Sequence, residues 1–179
     1  LSTMPALMGA LAQIIGAALS DRLGRRRKLI VPCAVVQALA YPLIFIIPFL
    51  FPATGAAAVI GFTALAIIAG NMAAPAWISL MGDMVPDAKR GDYFGHRGRV
   101  IILLVFVATL SAGGILSVCQ HNNLIWAGFG ILFMVACLAR LISSRLLALH
   151  YDPPYKPSHE HYFSFWDFIR RMQHSNFAR

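Results

Sequence analysis

The chain has 179 residues, of which 59% are hydrophobic and only 12% are charged, and its formal net charge is +8. A soluble domain carries about a quarter charged residues, so the natural solvent of this chain is lipid rather than water. The composition therefore excludes an ordinary soluble protein. The positive charge is compatible with either a nucleic-acid partner or a membrane topology signal.

Five apolar runs are long enough to cross a bilayer as helices. A hydrocarbon core about 30 Å thick needs about 20 apolar residues of helix, and lipid offers the backbone no other partners. Pro32, Pro42, Pro48 and Pro75 lie within these runs, and membrane helices tolerate the kinks that proline causes. The sequence thus predicts an all-α integral membrane protein with spans at 1–20, 29–51, 56–81, 100–119 and 124–147.

The basic residues lie on one side of the predicted membrane. Of the 15 Lys and Arg residues, five lie between the first two spans, four lie between the third and fourth, and six lie late in the last span or after it. Because Lys and Arg are retained on the cytoplasmic side, we expect the charged loops and the C-terminus there, in a multi-pass protein of the bacterial inner membrane. Topology explains the charge, so we expect no nucleic-acid partner.

The chain begins inside a predicted span, without an initiator Met or a signal peptide. A span that starts on the outer side needs an earlier span to deliver it. We therefore expect a fragment of a longer protein, with at least one span before residue 1 and others after residue 179.

The first charged connection, SDRLGRRRK at residues 20–28, has an order that charge bias alone does not explain. An acidic residue ends the span, Gly24 permits a tight left-handed turn, and arginines follow at once. This order resembles the signature between the second and third helices of the major facilitator superfamily. The matching residues are Asp21, Arg22, Gly24, Arg25, Arg26 and Arg27, whereas Ala17 takes the place of the first signature glycine and Gly16 lies one residue early.

The second charged connection supports the same resemblance. Asp83, Pro86, Arg90 and Gly91 are similar to the acidic, proline and Arg-Gly positions between the fourth and fifth helices of many members. The resemblance covers the whole chain, which would supply helices two to six of a twelve-helix transporter and then the central cytoplasmic linker.

The resemblance implies two six-helix bundles around a central cavity and secondary active transport of a small solute by alternating access. It also implies a conformational latch, in which Asp21 meets a helix N-terminus of the other half and Arg25 pairs with Asp83. The implied latch residues are Asp21, Arg22, Gly24, Arg25, Arg26, Asp83, Arg90 and Gly91. The alternative is a non-transporting membrane assembly or signalling scaffold on the same fold.

Polar residues in the spans are candidates for a substrate cavity. Gln13, Asn71 and Trp77 are the residues that we select, since Asn71 lies mid-span and the third span matches a cavity-lining helix of the superfamily. The simpler interpretation is an interhelical hydrogen bond for Asn71 and an interface anchor for Trp77. No Asp, Glu, Lys or Arg lies mid-span; Arg140 is near a span end, where its stem can carry the guanidinium to the headgroups.

The expected partners follow from these assignments. They are a small-molecule solute, a proton or sodium ion as candidate coupling ion, membrane lipid, and the first helix and C-terminal half of the same protein. We expect no cofactor and no metal, because the cysteines lie singly in apolar runs and His159 and His161 lack a third ligand nearby. Enzyme motifs such as H-E-x-x-H and G-x-S-x-G do not occur, so we expect no enzyme.

The last residues differ in composition from the spans. Residues 152–179 are polar and begin rich in proline, which predicts a cytoplasmic linker. Within them, apolar residues recur at helical spacing over 164–173, and this favours an amphipathic helix at the membrane interface.

Overall fold

A computed structural model describes the backbone of residues 4–153 and the side chains of residues 7–153. This part of the chain folds into five long helices and has no strands. The helices are α1 (Met4–Leu23), α2 (Arg27–Leu50), α3 (Gly55–Met84), α4 (Arg90–His121) and α5 (Ile125–Leu149), with a 3₁₀ turn at Asp87–Lys89 before α4. The predicted linker helix at 164–173 lies outside the described residues.

Most of the helices have the length and hydropathy that a membrane requires, and the all-α membrane prediction is confirmed. Among the described residues, four segments meet this requirement: α2, α3, the 3₁₀ turn with α4, and α5. The helix α1 is not one of the four, and residues 1–3 before it are not described. The span at 1–20 therefore stays a prediction.

The second charged connection is mostly helical rather than a loop. We expected the fourth span to begin near residue 100, but α4 begins at Arg90 and includes Asp92, Arg97 and Arg99. Apolar composition marks only the part of a helix that lies in lipid, so it does not locate a polar beginning that extends into water. The connection between α3 and α4 is reduced to residues 85–89.

The core lies between α2 and α3 and consists largely of small residues. Leu29, Ile30 and Cys33 of α2 pack against Leu80, Met81 and a row of alanines on α3, at positions 69, 73 and 76. Small residues let two helix backbones approach closely, and this packing replaces the hydrophobic drive that is lost in lipid. Around this core, α1 packs on α3, α5 packs on α2, and α4 lies along α5 with none of its residues buried.

The ion-rich connections meet at one end of the bundle. There α1 and α3 end, α2 and α4 begin, and α5 ends. We call this the charged end, because the acidic and basic side chains of residues 20–28 and 83–99 lie there.

The contact between α1 and α3 depends on Gly16. A Cβ atom at this position would overlap the backbone of Met72, whereas a Cβ at Gly61 of α3 would meet open space. The structure thus assigns the close approach to Gly16, while Ala17, at the signature position, lines a small cavity.

Gly16→Ala is therefore expected to destabilise the full-length protein in detergent. Overpacking of this kind costs about 1–3 kcal/mol of unfolding free energy. The matched control is Gly61→Ala, for which we expect no loss, since alanine favours a helix over glycine by about 1 kcal/mol. Thermal unfolding of the two variants checks this, and equal melting temperatures would contradict the close approach of α1 to α3.

Candidate functional site

The turn between α1 and α2 is built around Gly24. Helix α1 ends at Leu23 and α2 begins at Arg27, so the reversal takes three residues. Gly24 has a φ of +60°, the left-handed conformation that glycine adopts without a steric penalty. Arg26 then serves as the N-cap residue of α2, and its carbonyl accepts hydrogen bonds from the N–H groups of Leu29 and Ile30.

An ion pair joins this turn to the end of α3. Nη1 of Arg26 lies 2.6 Å from Oδ2 of Asp83, and the Arg26 side chain is 1% exposed while that of Asp83 is 51% exposed. The predicted pairing of Arg25 with Asp83 is wrong by one residue, because the structure turns Arg26 toward α3 and leaves Arg25 exposed. A guanidinium removed from water in this way needs charged and hydrogen-bonding partners to offset its desolvation.

Four charges at this end oppose the local helix dipoles, whereas Arg22 in the last turn of α1 and Asp92 in the first turn of α4 agree with them. Asp21 lies in the last turn of α1 and Asp83 in the last turn of α3, where the dipole disfavours an anion. Arg26 and Arg27 lie at the beginning of α2, where a cation is disfavoured. Each unfavourable placement costs about 0.3–1 kcal/mol, so these side chains are not placed there to stabilise their own helices.

Asp21 lies beside the ion pair. It lines a cavity of about 190 Å³ together with Arg26 and with residues of α1 and α3, among them Pro75 and Ser79. The neighbouring Arg22 is exposed. The fold therefore brings Asp21, Arg26 and Asp83 to one corner of the charged end, and Arg22 and Arg25 remain on its surface.

Arg90 fixes the end of α3 on which Asp83 lies. Its Nε donates to the carbonyl oxygens of Gly82 and Val85, at 2.9 and 3.2 Å, and Nη2 donates to Gly82 as well. Nη1 pairs with Asp87 at 2.6 Å. These bonds satisfy carbonyl groups that a helix end leaves without partners. Gly91 is exposed, has open space around it, and nothing in the structure requires a glycine there.

Two of the three cavity candidates contact each other. Nε2 of Gln13 donates to Oδ1 of Asn71 at 2.8 Å, and Nδ2 of Asn71 donates to the carbonyl oxygen of Ile67 at 2.9 Å. Trp77 lies about 120° away around the axis of α3. It lines a cavity against α4 and α5, to which Gln13 and Asn71 do not contribute. The bond between Gln13 and Asn71 is the interhelical hydrogen bond that was the simpler interpretation of Asn71.

A double-mutant cycle measures this bond. We expect Gln13→Ala and Asn71→Ala in the full-length protein to be coupled by about 0.6–1.7 kcal/mol, the range for polar contacts between membrane helices. Thr109→Ala is the control partner for Asn71→Ala, because the Thr109 hydroxyl donates within its own helix, to Val105 at 2.8 Å. A coupling energy no larger than that of the control would show that the contact contributes nothing.

A second set of hydrogen bonds between helices at the charged end was not predicted from the sequence. Nη1 of Arg27 donates to the carbonyl oxygens of Ala148 and His150, at 2.8 and 3.1 Å, and its backbone N–H donates to Asp152 at 3.2 Å. These contacts join the beginning of α2 to the end of α5. The only signal in the sequence was the third arginine of the run, which topology alone also explains.

The arrangement defines a class of protein. It is a multi-pass bundle of membrane helices in which the described ion pairs, and the arginines that donate to helix-end carbonyl groups, lie at one end. Comparison with family models agrees, since the model described as the Major Facilitator Superfamily matches residues 1–174. The chain belongs to this superfamily, whose members are membrane transporters of small molecules, and the resemblance predicted from the two charged connections is confirmed. Comparisons with curated proteins and with solved structures gave no match.

Proposed function

We propose that the chain is part of a secondary active transporter that moves a small solute by alternating access. Membership of the superfamily supports transport in general. The observation that carries the mechanism is the ion pair between buried Arg26 and Asp83 at the charged end. Arg26 is at the beginning of α2 and Asp83 is at the end of α3, and each charge is unfavourable for the dipole of its own helix. Such a placement is expected if the two side chains serve to hold the helix ends together rather than to stabilise each helix.

In the proposed mechanism, Arg26, Asp83 and Arg90 hold the turn at Gly24 against the end of α3. This support places Asp21 at the rim of the bundle, where its carboxylate can meet a helix N-terminus of the second bundle. With the charged end in the cytoplasm, this contact stabilises the outward-facing state. It breaks when the two bundles rock apart on that side, so the group acts as a latch.

The supporting and contacting roles differ. Arg26, Asp83, Arg90 and the turn at Gly24 act as positioning residues within one bundle, and Asp21 makes the contact that opens and closes. Arg22, Arg25 and Gly91 belong to the predicted latch set, but they lie on the surface without a described partner in the structure. We assign them no separate step.

Flux measured with the full-length protein in proteoliposomes tests transport itself. A panel of small solutes is offered with an imposed proton or sodium gradient, and protein-free liposomes serve as the control. We expect uptake of at least one solute class above the control, with a rate that changes when the gradient is collapsed. Flux that depends on neither solute nor gradient would favour the non-transporting scaffold.

A further inference from the structure

A second cavity, which is open to the surface, lies apart from the latch and from the bond between Gln13 and Asn71. It has a volume of about 400 Å³ and lies among α2, α3, α4 and α5. Its polar lining consists of Arg97, Arg140 and Ser143, and Trp77 forms part of its wall. Ligand-binding cavities have volumes of about 300–1,000 Å³, so this one can hold a small group.

Arg97 is oriented by Trp77. The central carbon of its guanidinium lies 4.1 Å from the centroid of the Trp77 ring. Such a cation–π contact is stabilising by about 0.5–1 kcal/mol when exposed and by more when desolvated. It holds the guanidinium at the cavity wall while leaving its N–H groups available, because a ring face accepts charge and not a directed hydrogen bond.

Arg140 supplies an unsatisfied donor. Its Nε atom is buried and has no hydrogen-bond partner among the described residues. No carboxylate in this part of the chain forms an ion pair with Arg140 or Arg97. A buried donor attached to a charge and left without an acceptor costs more than the about 1–3 kcal/mol of a neutral one.

The two arginines lie at a similar depth. Arg97 is seven residues from the beginning of α4, and Arg140 is nine residues from the end of α5. At the rise of a helix, these positions lie about 10 and 14 Å from the charged end. The two half-buried guanidinium groups thus bring two positive charges to one cavity that contains no counter-charge among the described residues.

We propose that this cavity binds an oxyanion, a phosphate or carboxylate group, held by the guanidinium groups of Arg97 and Arg140 and by the Ser143 hydroxyl. The guanidinium fork matches the oxygens of these groups, and one fork can donate two parallel hydrogen bonds. The group is carried either by a phospholipid headgroup or by a water-soluble anion. The proposal goes beyond the transport function and does not require it.

Thermal unfolding of the full-length protein in a neutral detergent tests the site. Inorganic phosphate and acetate are titrated against chloride at equal ionic strength, and short-chain phosphatidylglycerol is titrated against phosphatidylcholine. We expect saturable stabilisation of several degrees by at least one anionic probe over its control. Stabilisation by phosphate or acetate identifies a water-soluble anion, and stabilisation by phosphatidylglycerol alone identifies a headgroup.

Charge-neutral variants locate the binding. Arg140→Gln and Arg97→Gln are each expected to raise the dissociation constant of the stabilising probe at least tenfold. Arg145→Gln is the matched control, because Arg145 is on the same helix as Arg140 but exposed. If Arg140→Gln does not fold, Arg97→Gln decides. The proposal is overturned if no anion stabilises the wild type beyond its control, or if Arg145→Gln weakens binding as much as the cavity variants do.

Discussion

Asp83→Asn is expected to lower the stability of the full-length protein more than Arg26→Gln does. The first substitution takes a negative charge from a guanidinium that is 1% exposed, and the second leaves a carboxylate that is 51% exposed and can be hydrated. Removing one partner of a fully buried pair costs about 3–5 kcal/mol. For this half-exposed pair we expect about 2 kcal/mol for Asp83→Asn and about 1 kcal/mol for Arg26→Gln.

Thermal or denaturant unfolding in detergent gives both values, and Arg25→Gln is the matched control. Arg25 is adjacent in the chain, has the same charge and is exposed, so we expect its substitution to have little effect. The double variant Arg26→Gln/Asp83→Asn should be more stable than the sum of the single losses predicts. A larger loss for Arg25→Gln than for Arg26→Gln would show that the pairing is the one expected from the sequence.

Asp21→Asn is expected to open the charged end without unfolding the bundle. Ser79 lines the same 190 Å³ cavity as Asp21, so Ser79→Cys, in a background with the native cysteines replaced, reports access from this side. A carboxylate at a helix N-terminus contributes about 0.3–2 kcal/mol. Loss of that bias should raise the rate at which a membrane-impermeant maleimide modifies Cys at position 79 by about 2- to 30-fold.

The control for Asp21→Asn is Asp92→Asn, which removes an exposed acidic group in the first turn of α4. It changes the net charge of the same end by the same amount, so it separates the latch contact from a general electrostatic effect on the maleimide. We expect an unchanged modification rate for Asp92→Asn. Equal rates in the two variants would remove Asp21 from the latch.

The sequence was sufficient for the fold and for the location of the charged end, but not for the facing of its side chains. Successive residues of a helix point about 100° apart, so in a run of three arginines the geometry of the preceding turn decides which one faces inward. The left-handed Gly24 turns Arg26 toward Asp83, and this removes the expected Arg25 pair. The signature at residues 20–28 predicts a turn at the glycine, but it does not predict which of the following arginine side chains faces α3.

The polar contacts between the helices depend on packing that the sequence pattern does not show. Gln13 and Asn71 were each selected as mid-span polar residues, and the close approach of α1 to α3 brings them to 2.8 Å. This approach depends on Gly9, which faces the Asn71 side chain, and on Gly16, which faces the Met72 backbone.

Arg97 was expected in a loop, but α4 begins at Arg90 and includes it, and its guanidinium lies over the Trp77 ring. Arg97 and Arg140 line one cavity because α4 and α5 pack together, and the residues around each arginine in the sequence do not predict this packing.

Alternating access is tested most directly by measuring, in one protein, how accessible the proposed transport path is from each side of the membrane. Gly61 and Ser79 are 18 residues apart on α3. They therefore lie on the same helix face, about 27 Å from each other. Single cysteines at these positions in the full-length protein report the opposite end and the charged end, respectively. We expect Asp21→Asn to raise the maleimide modification rate at 79 and to lower it at 61. Rates that rise together at both positions, or do not change at either, would contradict a latch that exchanges two states.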